Sequence, residues 1–82
     1  MRDIYDNVLD TINDYLNMEF FKVSDLENKI RENGGPMRVA PCVTVNDYLD
    51  ELEMNGTIKF EYKKEKGEYH TYVRYIGDEK KK

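Results

Sequence analysis

This chain has few residues suited to covalent chemistry. It holds one cysteine, Cys42, and one histidine, His70, in 82 residues. A lone cysteine cannot close a disulfide within the chain, so a reducing, cytoplasmic setting is expected. One Cys and one His also cannot supply the usual ligands of a zinc site built within one chain. There is no Gly-rich phosphate loop, no HExxH helix, and no serine or cysteine placed with a plausible histidine base. Catalysis, a cofactor and a small-molecule ligand are therefore not expected. No apolar run approaches the roughly 20 residues that cross a bilayer, and the amino terminus does not read as a signal peptide, so no membrane partner is expected either.

What the chain does have is charge. Charged residues make up 37% against 39% hydrophobic, which is globular rather than disordered composition. A single domain of this length buries only about 60 to 65% of its unfolded surface, so its core is small and oligomerisation would help it. The charge is unevenly spread. Residues 1–56 hold 5 Lys and Arg against 12 Asp and Glu, a balance of −7, and residues 57–82 hold 8 against 5, a balance of +3, which together give −4. An acidic protein is repelled by nucleic acid at long range, so any contact with it must come from a local basic surface. Only the carboxyl-terminal third offers one.

Hydrophobic periodicity marks three helices. From Ile4 to Leu16, the residues Ile4, Tyr5, Val8, Leu9, Ile12, Tyr15 and Leu16 recur at helical spacing over an arc of about 140°. So wide an arc suggests one flank in the domain core and another against a second subunit, with Ile4, Tyr5, Val8, Leu9 and Ile12 as the dimer interface. The segment Phe20 to Val23 is short and β-prone. Ser24-Asp25-Leu26-Glu27 then reads as a capping box that starts helix 2 at about Asp25. Leu26 and Ile30 give that helix its buried stripe, and Asn33-Gly34-Gly35-Pro36 ends it. Met37 to Pro41 connects to helix 3, whose start is open between Pro41 as a first-turn residue and Thr44 as the cap. On a helical wheel Cys42, Val45, Tyr48, Leu49 and Leu52 share the face assigned to the core.

Beyond Gly56 the pattern changes to period two. Thr57 to Lys63 alternates, Lys64 to Gly67 reads as a four-residue turn, and Glu68 to Ile76 alternates again. That loop length pairs Tyr62 with Tyr69, Phe60 with Thr71 and Ile58 with Val73 on the packed side. On the other side it pairs Lys63 with Glu68, Glu61 with His70 and Lys59 with Tyr72. Asp78 to Lys82 reads as a charged, frayed tail.

An amphipathic helix running through Asn55-Gly56-Thr57-Ile58 into a strand, after Val23-Ser24-Asp25-Leu26 and Thr44-Val45 with Tyr48-Leu49 and Leu52-Glu53, resembles the winged helix-turn-helix superfamily. Within it the likeness is particularly to the small transcription regulators of archaea and their viruses. The resemblance covers residues 1–77. It implies an α+β fold, a three-helix body with a two-stranded β-hairpin wing, and admits a short third strand at 20–23. It further implies a transcription regulator that binds double-stranded DNA, with the amino-terminal half of helix 3 near the major groove and the wing on the backbone; the apolar arc of helix 1 adds the expectation of a homodimer. The DNA-contacting residues would be Arg38, Thr44, Asn46 and Tyr48 around helix 3, and Lys59, Lys63, Lys64, Lys66, His70 and Arg74 on the hairpin. Helix 3 departs from that pattern, since it exposes Asp47, Asp50 and Glu51 and carries no Lys or Arg. The connection Asn33 to Ala40 is also longer than a tight helix-turn-helix turn. Winged helices also serve as protein-binding modules, so the alternative is an interaction module whose acidic helices dock a basic partner.

Plainer readings stand beside these. Hairpin lysines are common devices against edge-to-edge aggregation. Asp6, Asp10 and Asp14 form a solvated ladder, and Asp3 and Asp6 suit the positive end of helix 1. His70 is read as a cross-strand partner of Glu61, Cys42 as a small buried hydrophobe, and the tyrosines and phenylalanines mainly as packing residues.

Overall fold

The computed structural model describes residues 4–77. The expectations for Asp3 and for the tail at 78–82 lie outside the described residues. In chain order the elements are α1 (Ile4–Leu16), β1 (Phe20–Lys22), α2 (Val23–Glu32), β2 (Arg38–Ala40), β3 (Val43–Thr44), α3 (Val45–Met54), β4 (Ile58–Glu65) and β5 (Glu68–Tyr75). The domain is thus a small α+β unit of three helices with antiparallel strands. β1, β5 and β4 form one sheet in that order, and β2 with β3 forms a separate two-stranded ribbon.

α1 turns Val8, Thr11, Ile12 and Leu16 inward, the i, i+3, i+4 and i+8 positions of one stripe. Thr11 is the one buried polar residue among those described, and both capacities of its hydroxyl are used. It donates to the Asn7 carbonyl at 2.9 Å and accepts from Asn33 Nδ2 at 3.2 Å, which ties α1 to the end of α2. Glu19, with φ of 72°, turns the chain from α1 into β1. Its carbonyl accepts from the Tyr75 amide at 2.8 Å, so the turn is fastened to β5. β1 then pairs Phe20 with Arg74, Phe21 with Val73 and Lys22 with Tyr72.

α2 starts earlier than the Ser24 capping box suggests. Its first residue is Val23 and its cap is Lys22, which makes no side-chain cap hydrogen bond. The reason is the strand before it. Pairing with β5 continues to Lys22, so the chain passes directly from strand into helix and Ser24 already lies in the first turn. The other end is as expected. The amides of Gly34 and Gly35 donate back to Arg31 and Ile30 at 2.9 and 3.1 Å, and a Cβ at Gly35 would sit 3.0 Å from Val8 Cγ2. Glycine there is what lets α2 end against α1.

The long connection between α2 and α3 is the β2/β3 ribbon, with Val39 buried. Cys42 sits in its turn and is exposed, contrary to the buried role read from the helical wheel. Helical periodicity does not apply there because Thr44, not Pro41, caps α3. Thr44 Oγ1 accepts from the Asp47 amide at 3.0 Å, and Asp47 Oδ2 accepts from the Thr44 amide at 3.4 Å, a complete capping box. α3 buries Val45 and Leu49, with Tyr48 and Leu52 half-buried beside them.

The hairpin has a two-residue turn. Lys66 and Gly67 have φ of 53° and 84°, the doubly left-handed turn whose twist matches that of paired strands. Glu65 therefore pairs with Glu68, Lys63 with His70, Glu61 with Tyr72, Phe60 with Val73 and Ile58 with Tyr75. This is two residues away from the expected register. A slip of two keeps every side chain on its face, so the inner and outer sets are unchanged while each cross-strand partner differs. The core collects Val8, Ile12, Leu16, Phe21, Leu26, Ile30, Val39, Val45, Leu49, Ile58 and Val73.

Candidate nucleic-acid interface

The hairpin cations fall into two chemical groups. Arg74 is committed to Glu61, with Nε donating to Oε2 at 2.7 Å and Nη2 to Oε1 at 3.4 Å. That hydrogen bond holds the Glu61 carboxyl below the usual carboxylate range, with further help from the charges of Arg74, Lys63 and Lys59, and it raises the guanidinium in turn. Glu65 gathers a second set. It accepts from the Tyr72 hydroxyl at 2.8 Å, which pushes that phenol upward, and lies 3.9 Å from Lys22 Nζ and 3.8 Å from His70 Nε2. The partner of His70 is thus Glu65, not Glu61, because the register places Lys63 directly across from His70.

Four lysines stay outside this network. Among the described residues no carboxylate lies within ion-pair distance of Lys59, Lys63, Lys64 or Lys66. The ammonium of Lys63 rests 4.9 Å from the centre of the Phe20 ring and 5.2 Å from that of Tyr72, and Lys64 lies 5.7 Å from Tyr69. Contact with a ring face orients a cation without neutralising it. Phe20 and Tyr72 are themselves stacked, with centroids 5.1 Å apart and an interplanar angle of 4°, and Arg74 lies 4.6 Å from the Phe20 ring centre. The outer face of the sheet is therefore a lattice of rings and cations threaded by Glu61 and Glu65. Phe20 and Lys22 belong to it although sequence reasoning does not place them there; the β-prone character of Phe20 to Val23 is the signal that points to them.

Around α3 the expected contact residues disperse. Thr44 is occupied as the cap, Tyr48 packs on the core, and Arg38 is exposed with Nη1 donating to the Pro41 carbonyl at 3.2 Å. Asn46 is exposed in the first turn. It lines, with Asp50, Val23 and Leu49, an open groove of about 330 Å³ whose opposite wall is Phe60, Tyr62 and Thr71 of the hairpin. Neither Asp47 nor Asp50 forms an ion pair among the described residues.

Tyr62 and Tyr69, expected on the packed side, are 69% and 74% exposed. By strand parity they share the face of Ile58 and Val73, but they lie nearer the hairpin turn, where Tyr62 lines only the open groove beside α3. On α1, Val8 and Ile12 are 2% and 0% exposed within a single chain, so they belong to its core and not to a dimer interface. Ile4, Tyr5 and Leu9 retain surface. Among the described residues no helix is long and apolar enough to cross a membrane, and no cluster of three or more His, Cys, Asp or Glu could hold a metal ion. Comparison with protein-family models, curated proteins and solved structures finds no match to this chain.

Proposed function

We propose that this domain is a winged-helix module that binds double-stranded DNA, chiefly through its backbone, as a transcription regulator would. The winged-helix reading is supported by the order helix, strand, helix, two-stranded ribbon, helix, two strands, with the first strand pairing to the last in the sheet order β1-β5-β4. The observation that carries the DNA reading is the set of four lysines, Lys59, Lys63, Lys64 and Lys66, that form no ion pair among the described residues, on a hairpin of an otherwise acidic chain. Phosphate contact by such residues supplies affinity without demanding base readout. Asn46, at the start of α3, is the side chain best suited to an adenine edge.

The test is fluorescence anisotropy with a labelled duplex across a salt series. The triple variant Lys63→Ala/Lys64→Ala/Lys66→Ala should bind more weakly, and its log-log salt slope should flatten by about 0.9 for each phosphate that it no longer neutralises. Absence of binding by the wild type at low salt ends this reading.

A second reading is favoured by α3 itself. Its sequence has Asp47, Asp50, Glu51 and Glu53 and no Lys or Arg, which suits a basic protein partner better than phosphate. Reversing two of those charges separates the readings. Asp50→Lys/Glu51→Lys should tighten duplex binding and steepen its salt slope if α3 faces DNA, and should leave both unchanged if α3 serves a protein partner.

A further inference from the structure

β4 is the outermost strand of the sheet, eight residues long, and nothing among the described residues pairs with its outer edge. The hairpin fixes which backbone groups that edge presents. A two-residue turn closes on a hydrogen-bonded pair, here Glu65 with Glu68, and such pairs alternate along an antiparallel ladder. Lys63, Glu61 and Lys59 therefore direct their N–H and C=O groups to β5, while Lys64, Tyr62 and Phe60 direct theirs outward. An outer edge of this kind is a template for another strand, and its side chains indicate which one.

We propose that β4 pairs antiparallel with β4 of a second copy, about a two-fold axis through Tyr62, so that two three-stranded sheets join edge to edge. Such an axis passes through a non-hydrogen-bonded pair at Lys59, Glu61 or Lys63, where two like charges would face each other, or through a hydrogen-bonded pair at Phe60, Tyr62 or Lys64. Centring on Lys64 sets two ammonium groups against each other. Centring on Phe60 places Lys59 across from Glu61 but leaves Lys63 facing Thr57, and most of the outer half of β4 has no strand to pair with. Centring on Tyr62 sets Lys59 across from Glu65 and Glu61 across from Lys63, with the same two pairs repeated by symmetry. Every charge on the outer face of β4 then meets its opposite, the arrangement that favours cross-strand pairing.

The inner face agrees with that register. Phe60 comes opposite Lys64, a ring against a cation, and Tyr62 meets Tyr62 of the second copy. Tyr62 is 69% exposed in the single chain, where it lines an open groove beside α3. The axis is isologous, so the assembly closes as a dimer and does not propagate. Such a dimer draws Lys59 and Lys63 into cross-strand ion pairs and leaves Lys64 and Lys66 for a polyanion, but its test contains no nucleic acid, so its failure is distinguishable from failure of the DNA reading.

The experiment is sedimentation equilibrium on the full chain, at concentrations spanning from roughly 10 μM to 1 mM to capture a weak affinity, with circular dichroism to confirm folding. The wild type should self-associate as a dimer. Tyr62→Pro should abolish the dimer and leave the monomer folded, because the N–H it removes points away from β5 and proline is tolerated at such edge positions. Lys63→Glu sets like charges across the axis and should weaken association by about tenfold or more, given the two symmetric pairs it inverts. Glu61→Lys/Lys63→Glu restores opposite charges and should recover affinity. The proposal is overturned by a wild type that stays monomeric throughout, by a folded Tyr62→Pro that still dimerises, by a double variant no better than Lys63→Glu, or by a dimer abolished in Ile4→Lys, which would place the interface on α1.

Discussion

On the inner face of the sheet Phe21, Ile58 and Val73 are 4%, 2% and 0% exposed. One residue along on the same strands, Phe20, Lys59 and Tyr72 face solvent across a surface of rings and charges. The strands are shared, so the faces differ only in what surrounds the side chains. Inside, removal of apolar area from water does the stabilising, and it depends little on salt or pH. Outside, Phe20, Tyr72, Lys63, Arg74, Glu61 and Glu65 hold one another through stacking, cation–ring interactions and hydrogen bonds in a high-dielectric setting where each is weak. The inner face should therefore dominate stability. The outer face should tune it, while keeping cations available to a ligand.

Ile58→Ala tests the first half of that comparison and should have the largest effect. It deletes a side chain buried in the core that Val73 and the helices share, with an expected cost of about 2 to 5 kcal/mol. A domain of this size has only about 4 to 12 kcal/mol in total, so the urea midpoint should fall steeply or the protein should fail to fold. Phe20→Ala is the matching change on the outer face. It removes a half-buried ring together with its stacking on Tyr72 and its interactions with Lys63 and Arg74, and should cost about 1 to 2 kcal/mol. Equal costs for the two variants would break the comparison, because the outer lattice would then be a second core.

The helix starts give a smaller contrast of the same kind. Thr44→Ala removes a completed cap and should cost about 1 kcal/mol. Ser24→Ala removes a hydroxyl that caps nothing, and should stay within about 0.5 kcal/mol of wild type. Thermal or urea unfolding of the two single variants decides it, and a larger destabilisation at Ser24 would mean that the capping box read from Ser24 to Glu27 operates after all.

These same residues show why some of the structure is legible in the sequence and some is not. Period-two alternation from Thr57 to Ile76 identifies both faces of the hairpin correctly, since a strand side chain's face depends only on parity. The register is not legible because it depends on Lys66 adopting a left-handed backbone, which a lysine does not announce. The box at Ser24 is a valid local signal overruled by a long-range one, the pairing of Lys22 with Tyr72. Cys42 falls on a helix face of the wheel because the β2/β3 ribbon has too few residues to show alternation. For the candidate site, Lys59, Lys63, Lys64 and Lys66 are legible as charge. What is not legible is that Arg74 and His70 are taken by Glu61 and Glu65, since that follows from the register and from β1 joining the sheet.

The smallest expected effect lies in the pH dependence of the outer face. Glu61 has its pKa lowered, first by the hydrogen bond from Arg74 and then by the nearby charges of Arg74, Lys63 and Lys59. A carboxyl with a lower pKa folded than unfolded binds fewer protons in the native state. Its stabilising contribution is then fully present above the unfolded pKa and disappears as pH falls through the folded value. Tyr72 has the opposite sense. Its pKa is raised by donation to Glu65, so its contribution is present below the ordinary phenol range and is lost as pH climbs through the raised value. Both groups sit on the surface, where salt screens them. Glu61→Gln should therefore leave the unfolding midpoint nearly unchanged at acid pH, lower it slightly near neutrality, and lose that difference in high salt. Tyr72→Phe should show its deficit at neutral pH and close it only in strong alkali. If urea midpoints of Glu61→Gln and wild type diverge more at acid than at neutral pH, the Glu61–Arg74 pair is not what holds this part of the outer face, and its cation would be as available to a polyanion as the four lysines.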